Sequence, residues 1–516
     1  MTLTNLKIKD LISPDAKLTF LVGAGCSVDS PSSLAAGRKM IEDIVNYTCA
    51  ESEIQKILDL EELRFEQLVE VVRNWLDKDL KIIDYYGQCD TPNLQHFFLA
   101  EMIKNGHFVM TTNFDFLIEY ALLNSGVSKN DITPVITKED FQNYSDPDKL
   151  YRKGKKTLYK VHGSTKNIIS KEDTRDSLVA TIKAFGSNKE GENVFQVEPF
   201  KRELFNNISN GRSLVIMGYS GSDDFDIVPT LKVLENVQNI IWINYSGNKK
   251  VGNEQIHIID ANTSQALDEL GKDIRKVTQI LLEIWQMNNA EHIYRVDVNT
   301  TEMARSLLKS KPKLSSEVFS IKSRDWLQEN LDVPSRIIKN FIPYKIYYDF
   351  AIYNDAMNCS EKILQLAKKA KDKTWEATAL NNIGTIYHAQ GNYPEALRRY
   401  EEALQIDEQL GDLSGKATRL NNIGEIFRSQ GNYSEALRRY EEALQIAEQL
   451  GDLSGKATRL NNIGMIYHVQ GNYPEALKWL EEALKTLSEI GLGESPNAKS
   501  LIENIQVVRE KISESH

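Results

Sequence analysis

The sequence predicts a two-part chain, an α/β domain on a largely parallel sheet followed by an all-α solenoid of helix pairs. Three observations carry this reading. A forty-residue stretch recurs almost verbatim toward the C-terminus. Short apolar runs alternate with helical stretches through the first 285 residues. Several of those runs end in Gly, Asn or His, as parallel strands do where they turn toward helices. A chain of 516 residues is also too long for a single core.

The repeats come first. Asn381–Leu420 and Asn421–Leu460 differ at six of forty positions, and a third copy starts at Asn461. A weaker copy lies upstream, where Tyr353, Asp355, Ala356 and Leu364 precede Tyr393, Glu395, Ala396 and Leu404 by forty residues. Each copy reads as two helices. Ile383, Gly384 and Tyr387 mark the first, Gly391-Asn392 the turn, and Ala396, Leu397, Tyr400, Ala403 and Leu404 one face of the second. Gly384 and Ala396 are small where two helices must approach closely. The pattern resembles the tetratricopeptide repeat, in a form with a long second helix and a Gly411-Asp412 turn. The segment from Pro496 to about Ile512 reads as a capping helix.

In the N-terminal part the apolar runs are Leu18–Val22, His107–Thr111, Leu158–Val161, Leu214–Met217 and Ile240–Ile243, with Ile256–Ile259 as a candidate last strand. Residues 286–333 lack clear periodicity and read as a linker with some helix. The expected division is therefore 1–285, a linker 286–333, and a repeat array 334–516.

Composition narrows the function classes. A net charge of −11 argues against a broad surface for nucleic acid or anionic membrane. The cysteines Cys26, Cys49, Cys89 and Cys359 are far apart and form no C-x-x-C pair, so neither a Cys₄ zinc site nor a disulfide framework is expected. The first residues hold no long apolar core and no run approaches 18 apolar residues, so the expectation is a cytoplasmic protein without signal peptide or membrane span.

Five strand ends carry candidate chemistry. Gly23-Ala24-Gly25-Cys26-Ser27 follows the first run; glycines there let backbone amides approach a pyrophosphate, or simply ease a tight turn. Thr111-Thr112-Asn113-Phe114-Asp115 ends the second, where ligands of open α/β sheets bind, or where a helix is capped. His162-Gly163-Ser164 ends the third, Gly218-Tyr219-Ser220-Gly221-Ser222-Asp223 the fourth, and Asn244 the fifth; each also has a plain turn-forming reading.

As an ordered set, over about residues 10 to 285, these motifs resemble the sirtuin family, and in particular the sirtuin-like domains of bacterial antiphage defence systems. The resemblance implies a Rossmann-like NAD-binding fold. It implies that Gly23, Ala24, Gly25 and Ser27 line the pyrophosphate and ribose, that Asn113 and Asp115 sit near the nicotinamide ribose, and that His162 is the catalytic histidine. It places Gly218, Ser220 and Asn244 on the adenosine side, with Asp223 supporting their loop. Two features of protein-deacylating sirtuins are missing: the Cys₄ zinc module, and the Gly-Ile-Pro-Asp-Phe-Arg-like stretch, which here reads Ser30-Pro31-Ser32-Ser33-Leu34. Water is then the natural acceptor, and the expectation is an NAD hydrolase, with NAD as substrate and no metal. It is expected to be a homo-oligomer whose repeats hold a protein ligand or phage-derived trigger. The rival readings are an NAD-dependent deacylase or ADP-ribosyltransferase, and a non-catalytic sensor of NAD or ADP-ribose.

Overall fold

The computed structural model describes residues 1–13, 15–178, 199–219, 227–247, 254–493 and 495–514. Among these, one compact unit comprises residues 1–47 and 58–333, and the other residues 48–57 and 334–514.

The first unit is built on a nine-stranded sheet. Its strands are β1 (Thr2–Leu3), β2 (Leu18–Val22), β3 (Phe108–Thr111), β4 (Ile132–Val135), β5 (Lys156–Lys160), β6 (Ser213–Met217), β7 (Val237–Tyr245), β8 (Gln255–Ile258) and β9 (Ala290–Val298). They lie in the order β1-β8-β9-β7-β6-β2-β3-β5-β4. All neighbours run parallel except β1 with β8 and β8 with β9. The chain leaves β2 toward β3 and later returns to its other side as β6. The strand order thus reverses at β2, the kind of point at which α/β sheets bind ligands.

The sheet is buried on both faces. Leu18, Phe20, Val22, Val109, Leu158, Val215, Met217, Ile241 and Ile243 belong to one core, with Phe98 and Met102 of the helix Leu94–Lys104. The alternate residues Leu21, Phe108, Met110, Tyr159, Leu214, Ile216, Ile240 and Trp242 belong to the other, with Leu204 and Phe205 of the helix Arg202–Ser209 and Leu281 of the helix Lys272–Gln286. Alternation between two buried faces explains why these strands read as continuous apolar runs.

The stretch 286–333 carries structure that the linker reading did not include. Strand β9 sits inside the sheet between β7 and β8. Its Tyr294, Val296 and Val298 face one core, while Arg295 and Asp297 point the other way, each about 2% exposed. They satisfy each other through Nε to Oδ1 at 3.1 Å and Nη2 to Oδ2 at 3.0 Å. A buried ion pair in the strand masks its apolar pattern. The run at Ile256 forms β8, an antiparallel strand that precedes β9. Strand β4 contains Pro134 and takes the sheet edge, where a missing N–H is tolerated.

The second unit pairs its helices as Ile338–Asp349 with Tyr353–Ala370, Lys373–Ala389 with Tyr393–Leu410, Leu413–Ser429 with Tyr433–Leu450, and Leu453–Val469 with Tyr473–Glu489, ending in Pro496–Glu514. The helix Glu51–Leu58 lies against the first of these pairs, with the Ala50 N–H donating to the Lys339 carbonyl at 2.7 Å. A Cβ on Gly384 or Gly424 would lie 2.7 Å from the ring of Tyr400 or Tyr440, so the glycines are what let each helix pair close. Asp372, Asp412 and Asp452 cap the first helices of their copies, and Asn392, Asn432 and Asn472 the second.

Candidate functional site

Parallel pairing brings the carboxyl ends of β2, β3, β5, β6 and β7 to one edge of the sheet. Val22 is in register with Thr111 and Met217, Thr111 with Lys160, and Met217 with Ile243. The residues just beyond are Gly23, Thr112, Val161, Gly218 and Asn244. All five motifs therefore emerge on one edge, at the reversal of strand order. Ser220 and Asp223 lie outside the described residues.

Two glycine turns pack on each other here. Gly218 has φ +68°, and a Cβ on it would meet the Cys26 amide at 2.6 Å and the Gly23 carbonyl at 2.7 Å. A Cβ on Gly23 would lie 2.5 Å from the Gly218 carbonyl. The turn after β2 does not run directly into an α-helix. It is a four-residue 3₁₀ turn, Ala24–Ser27, and the next α-helix begins at Arg38. Its Gly23, Gly25 and Cys26 amides already donate to the carbonyls of Met217, Gly218 and Gly23 at 3.0, 2.8 and 3.2 Å. These glycines serve close packing of one backbone turn on the other.

Ser27, Asn113 and Asp115 meet in a buried network. The Ser27 hydroxyl donates to Asp115 Oδ2 at 2.7 Å, and Asp115 Oδ1 accepts the Leu117 N–H at 3.1 Å. Asn113 Nδ2 donates to the Gly23 carbonyl at 3.2 Å and lies 3.4 Å from Ser27 Oγ. With its amide nitrogen held this way, Asn113 Oδ1 is a buried acceptor with no protein partner.

The structure adds a residue that the motif reading missed. His96 Nδ1 accepts the Asn93 N–H at 3.1 Å, which leaves the proton of the neutral ring on Nε2, 3.2 Å from Ser27 Oγ. Burial holds the His96 pKa down to about 4, against the opposing pull of Asp115 and Asp29. The hydrogen bonds thus run one way, from Asn93 through His96 and Ser27 to Asp115. Asn93 also caps the helix Leu94–Lys104 and donates from Nδ2 to the Cys26 carbonyl at 2.8 Å. A signal was present in the sequence: Asn93 followed three residues later by His96 has the spacing of a capping box.

Two lysines pin the backbone around the site. Lys160 is fully buried; its ammonium donates to the Asp115 carbonyl, lies 3.5 Å from Glu119 and sits over the Phe116 ring. Lys201 Nζ donates to the Val161 carbonyl at 2.6 Å, just before His162. His162 is buried, with its ring 6.4 Å from that of Phe114. Asn244 is half-buried and donates to Asp297 Oδ1 at 2.8 Å, which ties it to β9. All four cysteines are buried free thiols. Among the described residues, no group of three or more His, Cys, Asp or Glu side chains is placed to hold a metal, and no helix is long and apolar enough to cross a membrane.

The fold is an α/β unit on a largely parallel sheet together with a helical repeat array, and comparison with known families specifies both. Residues 107–250 match the SIR2-like domain, and residues 353–409 and 411–497 match the tetratricopeptide repeat. The chain carries a SIR2-like domain followed by tetratricopeptide repeats. Among solved structures it is similar to BtubC from P. vanneervenii, at 18% identity over 34% of this chain and 81% of that one, with a TM-score of 0.27. It is similar to the apo form of RapI, at 14% identity over 34% of this chain and 49% of that one, with a TM-score of 0.31. It is also similar to a kinesin light chain with nearly identical repeats from Podosopora anserina, at 14% identity over 35% of this chain and 88% of that one, with a TM-score of 0.30. The chain spans about half the length of RapI. No curated protein matches.

Proposed function

We propose that the SIR2-like domain hydrolyses NAD to nicotinamide and ADP-ribose, and that the repeats control when it does so. The observation that carries this reading is the buried, unpartnered Asn113 Oδ1, set beside the Gly23–Gly218 contact and the Ser27–Asp115 pair at the switch point of the sheet. An acceptor left open in such a place fits a ligand that brings a donor, either a water or a ribose hydroxyl.

The chemistry follows from NAD itself. Its nicotinamide leaves as a neutral base, because the electron pair of the broken C1′–N bond cancels the pyridinium charge. Little acid catalysis is needed; the demand is for a positioned water and an acceptor for its proton. Asn113, with Nδ2 fixed by Gly23 and Ser27, orients the water through Oδ1. His162 takes the proton as the new C1′–O bond forms. Ser27 and Asp115, held by His96 and Lys160, keep Asn113 in place.

In this reading the domain boundary falls after β9, and the active protein is a cytoplasmic homo-oligomer that depletes NAD in an antiphage response. The test is incubation of purified protein with NAD and chromatography of the products. Asn113→Ala and His162→Ala are each expected to lower nicotinamide release by at least 100-fold, in line with loss of a positioning group or a general base, with unchanged thermal unfolding. Turnover in His162→Ala at the wild-type rate removes His162 from the mechanism. Transfer of ADP-ribose to a protein, or release of O-acyl-ADP-ribose, replaces hydrolysis with one of the rival activities.

A further inference from the structure

A second candidate site lies wholly within the repeat unit. Three helices frame a groove of about 500 Å³, lined by Ala50 and Glu51, by Arg336, Lys339 and Asn340, and by Lys362, Gln365, Leu366 and Lys369. The last four sit at i, i+3, i+4 and i+7 on the helix Tyr353–Ala370, so they share one face. Four cations face a single carboxylate in a chain whose net charge is −11. Lys362 is compensated, since its ammonium lies 2.9 Å from Glu53. Among the described residues, Arg336, Lys339 and Lys369 have no carboxylate within ion-pair distance, although the repeats elsewhere are laced with Arg–Glu and Lys–Glu pairs. Counting Glu51 against them leaves the groove two positive charges in excess.

The second observation is independent of charge. Asn340 is 7% exposed and lines the groove. Its Nδ2 donates to the Arg336 carbonyl at 2.8 Å, while its Oδ1 is buried without a partner. A buried acceptor left open is costly unless something donates to it. The groove therefore asks for a ligand with at least two negative charges, at least one N–H or O–H donor, and an apolar face to lie on Ala50, Leu366 and the lysine stems. Its volume is that of a small-molecule site.

We propose that this groove binds a nucleoside diphosphate. Arg336, Lys339 and Lys369 hold the phosphates, Asn340 Oδ1 accepts from the base or ribose, and Leu366 and Ala50 pack against the rest. The site does not depend on the proposed hydrolysis and uses none of its residues.

The test is calorimetry of the full chain with ADP, inorganic phosphate and an eight-residue polyglutamate peptide. The proteins are wild type, the double variant Lys339→Glu with Lys369→Glu, and Asn340→Leu. ADP is expected to bind wild type, and the double variant is expected to lose one site, with at least tenfold weaker affinity there and unchanged thermal unfolding. Phosphate should follow the same loss. Asn340→Leu should weaken ADP at that site and leave phosphate untouched; if this buried variant does not fold, the double variant decides alone. The double variant alters groove residues only and leaves any nucleotide bound at the sheet edge in place, which separates the two sites. Superimposable ADP isotherms for wild type and the double variant overturn the proposal, as does a groove that takes the peptide in place of ADP.

Discussion

His96 shows how a single side chain acts through others. It touches Ser27 at 3.2 Å and makes no hydrogen bond to Asn113, yet it supplies the donor that lets the Ser27 hydroxyl point at Asp115. His96→Leu keeps the volume and removes that donor. The expected cost is about 1–3 kcal/mol from the stranded Ser27 lone pair, read as a lower unfolding midpoint. The pH dependence gives a sharper reading. An unfolded histidine titrates near 6.5, and the buried ring only near 4. Above 6.5 both states are neutral; between 6.5 and 4 the unfolded chain binds the proton first, so stability falls as pH falls. Between pH 6.5 and 5 the loss is on the order of 2 kcal/mol. His96→Leu should flatten that slope while leaving the part due to His107, which burial also holds down to about 4. A variant with the full wild-type slope between pH 7.5 and 5 would rule out a neutral buried His96. The placement of Asn113 and Asp115 beyond a strand end was legible in the sequence, because an apolar run leads directly into them. For His96 only the helix cap was legible, from its spacing to Asn93; its contact with Ser27 is spatial, across 69 positions and from within an apolar helix.

At the scale of elements, what could be read depended on whether polar groups were buried. Strand β2 coincides with its apolar run, Leu18–Val22, since all five residues face a core. Strand β9 was hidden by Arg295 and Asp297, whose burial depends on a pairing that periodicity does not reveal. The repeats offer a cleaner comparison, because nature has already made the substitution. Asp407 lies 3.2 Å from Arg419 and is 1% exposed, and burial pushes its pKa up to about 6 despite the arginine. In the next copy the same position is Ala447, and Arg459 donates to its own Gly455 carbonyl at 3.0 Å. Removing one partner of a buried pair usually costs about 3–5 kcal/mol. Here Arg419 has a ready alternative in the Gly415 carbonyl, the counterpart of Gly455. Asp407→Ala is therefore expected to change stability by less than about 1 kcal/mol at pH 7, and to become steadily less favourable as pH falls from about 6 to below the unfolded value of 3.8, because the raised folded-state pKa of Asp407 otherwise adds stability by taking up a proton over that window. Chemical denaturation showing a loss above about 2 kcal/mol at pH 7 means that Arg419 cannot make the turn that Arg459 makes.

Across the whole molecule, the near-identity of the two central copies asks whether they serve as spacers or as a reading surface. Packing needs the small and apolar positions, Gly384 and Gly424 against Tyr400 and Tyr440, and these do recur. Exposed Arg398 and Arg438 recur as well, each bound to the glutamate three residues earlier, so the identical surface is partly a set of local helix pairs worth little apiece. A further link crosses between copies: Asn422 Nδ2 donates to Asn381 Oδ1 at 2.9 Å, and Asn462 Nδ2 to Asn421 Oδ1 at 3.0 Å. Deleting Asn421–Leu460 removes one full period and brings Asn462 beside Asn381, with the same donor facing the same acceptor. The joined helix, Leu413–Leu420 followed by Asn461–Val469, keeps its 17 residues and its Asp412 cap. The shortened protein is expected to fold, with helical circular dichroism per residue unchanged, because repeat stability is a sum of units and neighbour interfaces. If the array governs the proposed NAD hydrolysis through its central copies, nicotinamide release should shift in its response to an activator while NAD affinity stays within about twofold, well under 1 kcal/mol. An unaltered response assigns these copies to recent duplication. A protein that fails to fold shows that the Asn ladder and the glycine–tyrosine contacts do not suffice to join nonadjacent copies.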